Sequence, residues 1–164
     1  MDDSREYLCP ECKKGSLIFR DYCKRHVKYD GGDKEWILIP RHKCDNPACK
    51  KLHRMIPDML LPYKHYAESV ICDTIDDRID PSVSDDRPSV MTAIRWKKWI
   101  NELADDINGH LKSIAHRELG YSEELLKSGV SLLDELRQSM PYEWLKAIIR
   151  TIYNAGAYLR PVYD

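Results

Sequence analysis

The chain has 164 residues, a formal net charge of −1, 43% hydrophobic and 32% charged residues. That is enough apolar material for one domain or two small ones sharing a core, and the near-zero total leaves no global field to draw the whole molecule onto nucleic acid. Residues 1–66 hold 14 Lys and Arg against 10 Asp and Glu, while residues 67–164 hold 12 against 17, so the positive charge gathers at the front. No apolar run approaches the roughly 20 residues that span a bilayer. Met1-Asp2-Asp3-Ser4-Arg5-Glu6 has no apolar core and is no signal peptide. With no secretory signal, six cysteines in tight pairs fit metal better than disulfides. The expectation is a soluble, cytoplasmic protein with no membrane partner.

Tyr7-Leu8 is expected to pair as an edge strand. Cys9-Pro10-Glu11-Cys12-Lys13-Lys14-Gly15 reads as a zinc knuckle, with Gly15 supplying the permissive dihedral for the exit. Ser16 to Tyr29 alternates loosely and predicts a strand; Asp30-Gly31-Gly32-Asp33 predicts a hairpin turn, and Trp36-Ile37-Leu38-Ile39 the return strand. A third strand over Leu52 to Ile56 completes a three-stranded ribbon. Pro57 and Pro62 end the sheet.

Beyond them the apolar period becomes helical. Tyr66, Val70, Ile71, Ile75 and Ile79 predict a helix over 64–79, followed by a polar, proline-bounded connection over 80–88. Pro88 or Ser89 opens a long helix running to about Glu118, with Trp96, Ile100, Leu103, Ile107, Leu111 and Ile114 as its apolar seam. Its off-seam Met91 and Ile94 suit a helix start sandwiched between modules. Gly120 closes this helix. Ser122 caps another, with Leu125, Leu126, Val130, Leu133 and Leu136 facing inward. Ser139 and Pro141 open the last, with Leu145, Ile148, Ile149 and Ile152 buried. The fold class is α+β: a small N-terminal three-stranded zinc ribbon over 1–62, then a helix-turn-helix-like α-helical module of about four helices over 63–164.

The chemistry-bearing pattern is Cys9 and Cys12, then Cys44 and Cys49. Two knuckles joined by a hairpin supply four thiolates to one tetrahedral Zn²⁺, a closed and therefore structural site. The four-residue gap between Cys44 and Cys49 departs from the commoner two. His53 is an alternative ligand for one thiolate, and His42 a weaker one, though a satisfied structural histidine is the blander role for each. Cys23 and Cys72 stand alone and read as core thiols.

Two basic features point to double-stranded DNA. Lys13, Lys14, Lys50 and Lys51 flank the knuckles, and Arg87, Arg95, Lys97 and Lys98 line the start of the long helix, where a helix-turn-helix reaches the major groove. Against this, charge runs usually solvate a face, and Asp73, Asp76, Asp77, Asp80, Asp85 and Asp86 lie beside the helix. Asp76-Asp77 and Asp85-Asp86 read as solvated loop or helix-start charge.

Cys-Pro-x-Cys, a basic strand, a second Cys pair, Leu52 through Pro57, Leu61-Pro62-Tyr63 and Tyr66, then Ser89 with Ile94-Arg95-Trp96-Lys97-Lys98-Trp99, occur here in that order. This order resembles an uncharacterised domain-of-unknown-function family of Gram-positive bacteria, met near transposase-like genes and mobile elements. The likeness is firmest over residues 9–99. It implies an N-terminal zinc ribbon, a helix-turn-helix-like segment and DNA binding of transposase-like or phage accessory type.

No Gly-rich phosphate loop, nucleophile elbow or His/Glu metal helix occurs in the chain. Cys23 and His26 fall on opposite faces of a strand and make a poor thiol–imidazole pair. The expectation is no catalysis. The runner-up is a protein–protein adaptor or homo-oligomer, suggested by near-neutral charge and the aromatic C-terminus (Tyr142, Trp144, Tyr153, Tyr158, Tyr163).

Overall fold

Gly31 and Gly32, both at positive φ (87° and 85°), reverse the chain between two long strands. These are β1 (Leu17–Lys28) and β2 (Lys34–Cys44) of a computed structural model, of which residues 7–82 and 86–160 are described. Asp85 and Tyr163 lie outside the described residues. β3 (Leu52–Arg54) adds antiparallel to β2, giving the order β1-β2-β3. β3 is shorter than expected, although Met55 N–H still bonds the Pro40 carbonyl at 2.9 Å. Leu8 bridges Ser16, as the edge pairing of Tyr7-Leu8 anticipates.

The inward face of the hairpin carries Cys23, Val27, Ile37 and Ile39, which pack with Leu60, Ala67, Val70 and Ile79. The end of β1 holds the next segment directly: Lys28 N–H bonds His65 O and Ala67 N–H bonds Lys28 O, each at 2.8 Å. This delivers the chain into α1 (Glu68–Ile75), shorter than the 64–79 expected because Tyr66 and Ala67 are spent on bridges to Lys28 and Leu60 and left-handed Asp77 (φ 59°) follows its end. Ile71, Cys72 and Ile75 look the other way, into a larger core with Trp96, Ile107, Trp144 and Ile148. α1 is thus shared by both cores, and Cys72 is the core thiol expected.

About four helices were expected, and six are present among the described residues. α2 (Val90–Glu102) opens at Ser89, whose hydroxyl accepts from Thr92 N–H. The long helix does not run unbroken to Glu118: Leu103 (φ −97°, ψ 4°) separates α2 from α3 (Ala104–Leu119). Leu103 N–H still bonds Trp99 O at 3.1 Å, and Asp105 and Asp106 occupy the new first turn, where acidic charge favours a helix start. Because the apolar seam continues through the bend, its periodicity could not reveal the break. Gly120 closes α3 in the left-handed conformation.

The helix expected from Ser122 is also two: α4 (Glu123–Lys127) and α5 (Leu132–Ser139). Two side chains of α3 satisfy the interruption: Lys112 Nζ donates to Ser128 O at 2.6 Å, and Asn108 Oδ1 accepts from Leu133 N–H at 2.9 Å. Ser131, not Ser122, supplies the side-chain cap. Leu126 and Val130 are consequently exposed rather than inward, as are Met91 and Ile94 on α2. α6 (Trp144–Asn154) buries Trp144 and the four residues expected, although it starts three residues after Pro141.

Asp76 ties α1 to this helical layer. It accepts from Trp144 Nε1 at 2.7 Å, from Arg78 at 3.3 Å and from Arg137. With its side chain only 14% exposed, it is not the solvated loop charge expected; Asp77, 80% exposed, is. Asp76→Ala strands the Trp144 indole N–H and removes the carboxylate from Arg137, while Arg78 keeps Asp73. It is expected to lower stability by about 2–4 kcal/mol, read as a reduced urea midpoint with an unchanged m-value.

Candidate metal centre

Each cysteine pair sits in a turn whose backbone folds back on itself. In the first, Cys9 N–H bonds Gly15 O at 2.7 Å and Lys13 N–H bonds Cys9 O at 2.9 Å. In the second, the N–H groups of Cys49 and Lys50 both reach Asn46 O, at 2.9 and 3.0 Å. Lys13 (φ 56°) and Lys50 (φ 52°), the residues following the second cysteine of each pair, are both left-handed. The two turns therefore leave the site by the same backbone device. The longer Cys44–Cys49 gap is absorbed by Asn46, whose Oδ1 accepts from Ala48 N–H at 3.0 Å in an Asx turn.

The turns are also bound to each other. Asp45 N–H donates to Ser16 O at 3.1 Å, and Ser16 N–H donates to Asp45 Oδ1 at 2.8 Å. The four sulfurs lie within 4.8 Å of one another, with Cys9–Cys49 at 3.9 Å and Cys12–Cys44 at 3.7 Å. A tetrahedron built on a Zn–S bond of about 2.3 Å has an edge of about 3.8 Å. The donor set and its spacing fit one four-coordinate ion such as zinc, with no position left for substrate or water.

Polar groups around the sulfurs complete the arrangement. Cys12 Sγ accepts from Gly15 N–H at 3.4 Å and from Asn46 Nδ2 at 3.7 Å. The backbone N–H groups of Gly15 and Lys14 hold the Cys12 thiol down at about 6, whereas burial pushes Cys44 up to about 12. His53 Nε2 is 3.3 Å from Cys9 Sγ but lies outside the four-sulfur group, placed to brace a ligand from behind. Burial lowers the His53 pKa and so favours its neutral ring. His42 pairs with His53 in register and packs on Phe19, with its buried Nδ1 lacking a partner among the described residues.

The cations expected to meet DNA fall into two groups. Lys13 Nζ is spent on Ala155 O at 3.2 Å and Lys51 on Glu11 at 3.0 Å. Arg87 bonds Asp30 at 3.1 Å, Lys98 pairs with Glu102 at 3.5 Å, and Lys97 with Asp77. Lys14, Lys50 and Arg95 have no ion-pair partner among the described residues. The connection from α1 to α2 covers residues 76–89, far longer than the three- or four-residue turn of a helix-turn-helix. Among the described residues no helix is long and apolar enough to cross a membrane.

Residues 9–96 match the model of a family described only as a domain of unknown function, DUF6431. The chain belongs to this family. The match covers just over half of the chain and begins at the first cysteine; it spans both knuckles, the sheet, α1 and the first half of α2. No curated protein and no solved structure matches the chain.

Sequence reasoning missed two parts of the site: the brace of Asn46 across the knuckles and the packing around Gly15. A Cβ at Gly15 would overlap Cys44 Sγ and press on Asn46 and Asp45. Gly15→Ala is therefore expected to abolish stoichiometric metal binding, measured as zinc per chain by native mass spectrometry. Metal must displace protons from the thiols of Cys44 and Cys49, since burial raises the Cys44 pKa and the Cys49 pKa is also raised. Zinc uptake at pH 7.5 is expected to release at least two protons per ion, by titration in weak buffer. Affinity should fall more steeply below pH 6, where Cys12 is protonated too.

Proposed function

We propose that the protein is a zinc-stabilised DNA-binding protein of transposase-like or mobile-element accessory type, with no catalysis of its own. Zinc on Cys9, Cys12, Cys44 and Cys49 is structural in this reading: four thiolates fill its tetrahedron, and the metal holds the ribbon in shape. The observation that carries the proposal is where unpaired positive charge resides. Arg78, Arg137, Lys146 and Arg150 in the helical half all sit against carboxylates. On the ribbon, Lys14, Lys24, Lys34, Lys43 and Lys50 have no carboxylate partner among the described residues. Arg95, Lys112 and Lys127 in the helical half also lack a carboxylate partner among the described residues, but the ribbon gathers more such cations, and a region of free cations is what a phosphate backbone can recruit.

A protein–protein adaptor of the same architecture remains the second reading. It is favoured by Val90, Met91 and Ile94, which are exposed together at the start of α2. The aromatic C-terminus supports it less, because several of those rings are engaged within the chain. Trp144 bonds Asp76, Tyr142 lies under Arg78, and Tyr158 donates to Glu11 at 3.2 Å.

The test is fluorescence anisotropy of zinc-loaded protein against random-sequence DNA, offered both as duplex and as single strands. Binding is expected at low salt, with log K falling linearly in log salt at a slope of roughly −0.7 to −0.9 per phosphate neutralised. The triple variant Lys14→Glu, Lys50→Glu, Arg95→Glu is expected to weaken it at least tenfold while keeping its zinc. No binding to either form at low salt would overturn the proposal.

A further inference from the structure

The β1–β2 hairpin has two faces, and helices cover only one. On the other, the register sets Phe19 opposite His42, Tyr22 opposite Pro40, Lys24 opposite Leu38 and His26 opposite Trp36. Opposed residues share a face, and their neighbours along each strand point away. Phe19 and Tyr22 are three residues apart and would normally fall on opposite sides. The bulge between Phe19 and Asp21 corrects the phase and brings their rings to 5.0 Å between centroids.

Phe19, Tyr22, Trp36 and Leu38 are all exposed, Trp36 at 70%. An apolar row held in water on a regular strand pair marks a contact surface. Lys24, Lys28 and Lys34 lie among these side chains in the same register, whereas Arg20 at the bulge is turned to Asp21, 3.7 Å away. The acidic residues of the two strands point to the opposite side: Asp21 opposes and bonds Arg41, and Glu35 opposes Val27 and accepts from Tyr29 at 2.7 Å. The uncovered face therefore combines aromatic rings and cations with no carboxylate of either strand.

We propose that this face binds single-stranded DNA, its bases stacked on Phe19, Tyr22 and Trp36 and its phosphates held by Lys24 and Lys34. The inference rests on the DNA-binding reading and names the form of DNA. A single strand matches the surface in both respects, because it carries a flat ring and a negative charge on every nucleotide, and stacking on aromatics is tolerant of sequence. A duplex keeps its base faces hidden and leaves the rings unused. An apolar protein surface would bury the lysines without counter-charge. The row from Phe19 to Trp36 spans about 20 Å, room for a few nucleotides at the low end of such sites.

Trp36 makes the test specific, since Trp96, Trp99 and Trp144 are buried and a stacked base can quench only the exposed indole. Zinc-loaded full-length protein is titrated with a twelve-residue oligo-dT, a duplex of equal length and the corresponding oligo-U. Oligo-dT is expected to quench Trp36 and to bind at least tenfold more tightly than duplex. Phe19→Ala with Trp36→Ala is expected to cost tenfold or more in affinity, with zinc content and melting temperature unchanged, as both side chains lie on the surface. Duplex bound at least as tightly, and indifferent to the double variant, overturns this inference but leaves the DNA-binding reading standing. Tighter binding of oligo-U overturns the assignment to DNA, and no binding to any of the three overturns both readings.

Discussion

The fold depends on bringing four sulfurs, carried on turns 31 residues apart in the chain, to the edges of one tetrahedron. Everything near the N-terminus can be read as a solution to that constraint. The hairpin returns Cys44 opposite Leu17, immediately after the first knuckle. Each knuckle then leaves through a left-handed lysine, and Gly15 is small enough for the second turn to lie against it. Left-handed backbone costs a lysine roughly 1–2 kcal/mol. It persists where the surroundings over-determine it, which backbone bonds on both sides of each turn accomplish here.

The helical half depends on the same clamp through direct contacts. Gly156, at φ 82°, lies so close to the Pro10 carbonyl that a Cβ there would overlap it. Lys13 places its ammonium on a terminal carbonyl of α6, where positive charge complements the helix dipole. At the other end of the sheet, Arg25 gives hydrogen bonds to the carbonyls of Leu61 and Lys64, holding the chain as it leaves the ribbon for α1. Glu68, buried at the start of α1, accepts from Lys146 N–H of α6 at 3.0 Å. Sheet and helices thus share α1, Arg25 and the 155–158 segment, and the two modules written at the level of sequence are bound together along their length.

How much of this was legible follows from what each signal encodes. Paired cysteines, a Gly-Gly turn and a change from period two to period 3.6 are local, and they located the cysteine cluster, the hairpin and the onset of helix. The break at Leu103 was not legible, because the seam of Ile100, Leu103 and Ile107 is buried on both sides of it. The α4–α5 interruption depends on Asn108 and Lys112, which lie across the core in another helix. Asp76 read as loop charge because its partners, Arg137 and Trp144, are 61 and 68 residues away in sequence. Long-range pairing of this kind leaves no trace in spacing.

The ribbon's two faces carry the same lesson into function. A strand that buries one face normally shows apolar residues at every second position and polar ones between. Here Cys23, Val27, Ile37 and Ile39 satisfy the inward phase, yet Phe19, Tyr22, Trp36 and Leu38 occupy the outward phase, exposed among the described residues. Mere looseness in the alternation would scatter such residues. Instead a one-residue bulge restores the phase so that Phe19, Tyr22 and His42 cluster on one side, while His26 and Trp36 lie 5.1 Å apart further along it. The cysteine cluster cannot be the reason for them, since the groups that bond its sulfurs are backbone N–H and Asn46 rather than these rings. A small sheet whose end is closed by four clustered cysteines needs no second apolar face for its own folding, which leaves the outward row for the contact proposed above.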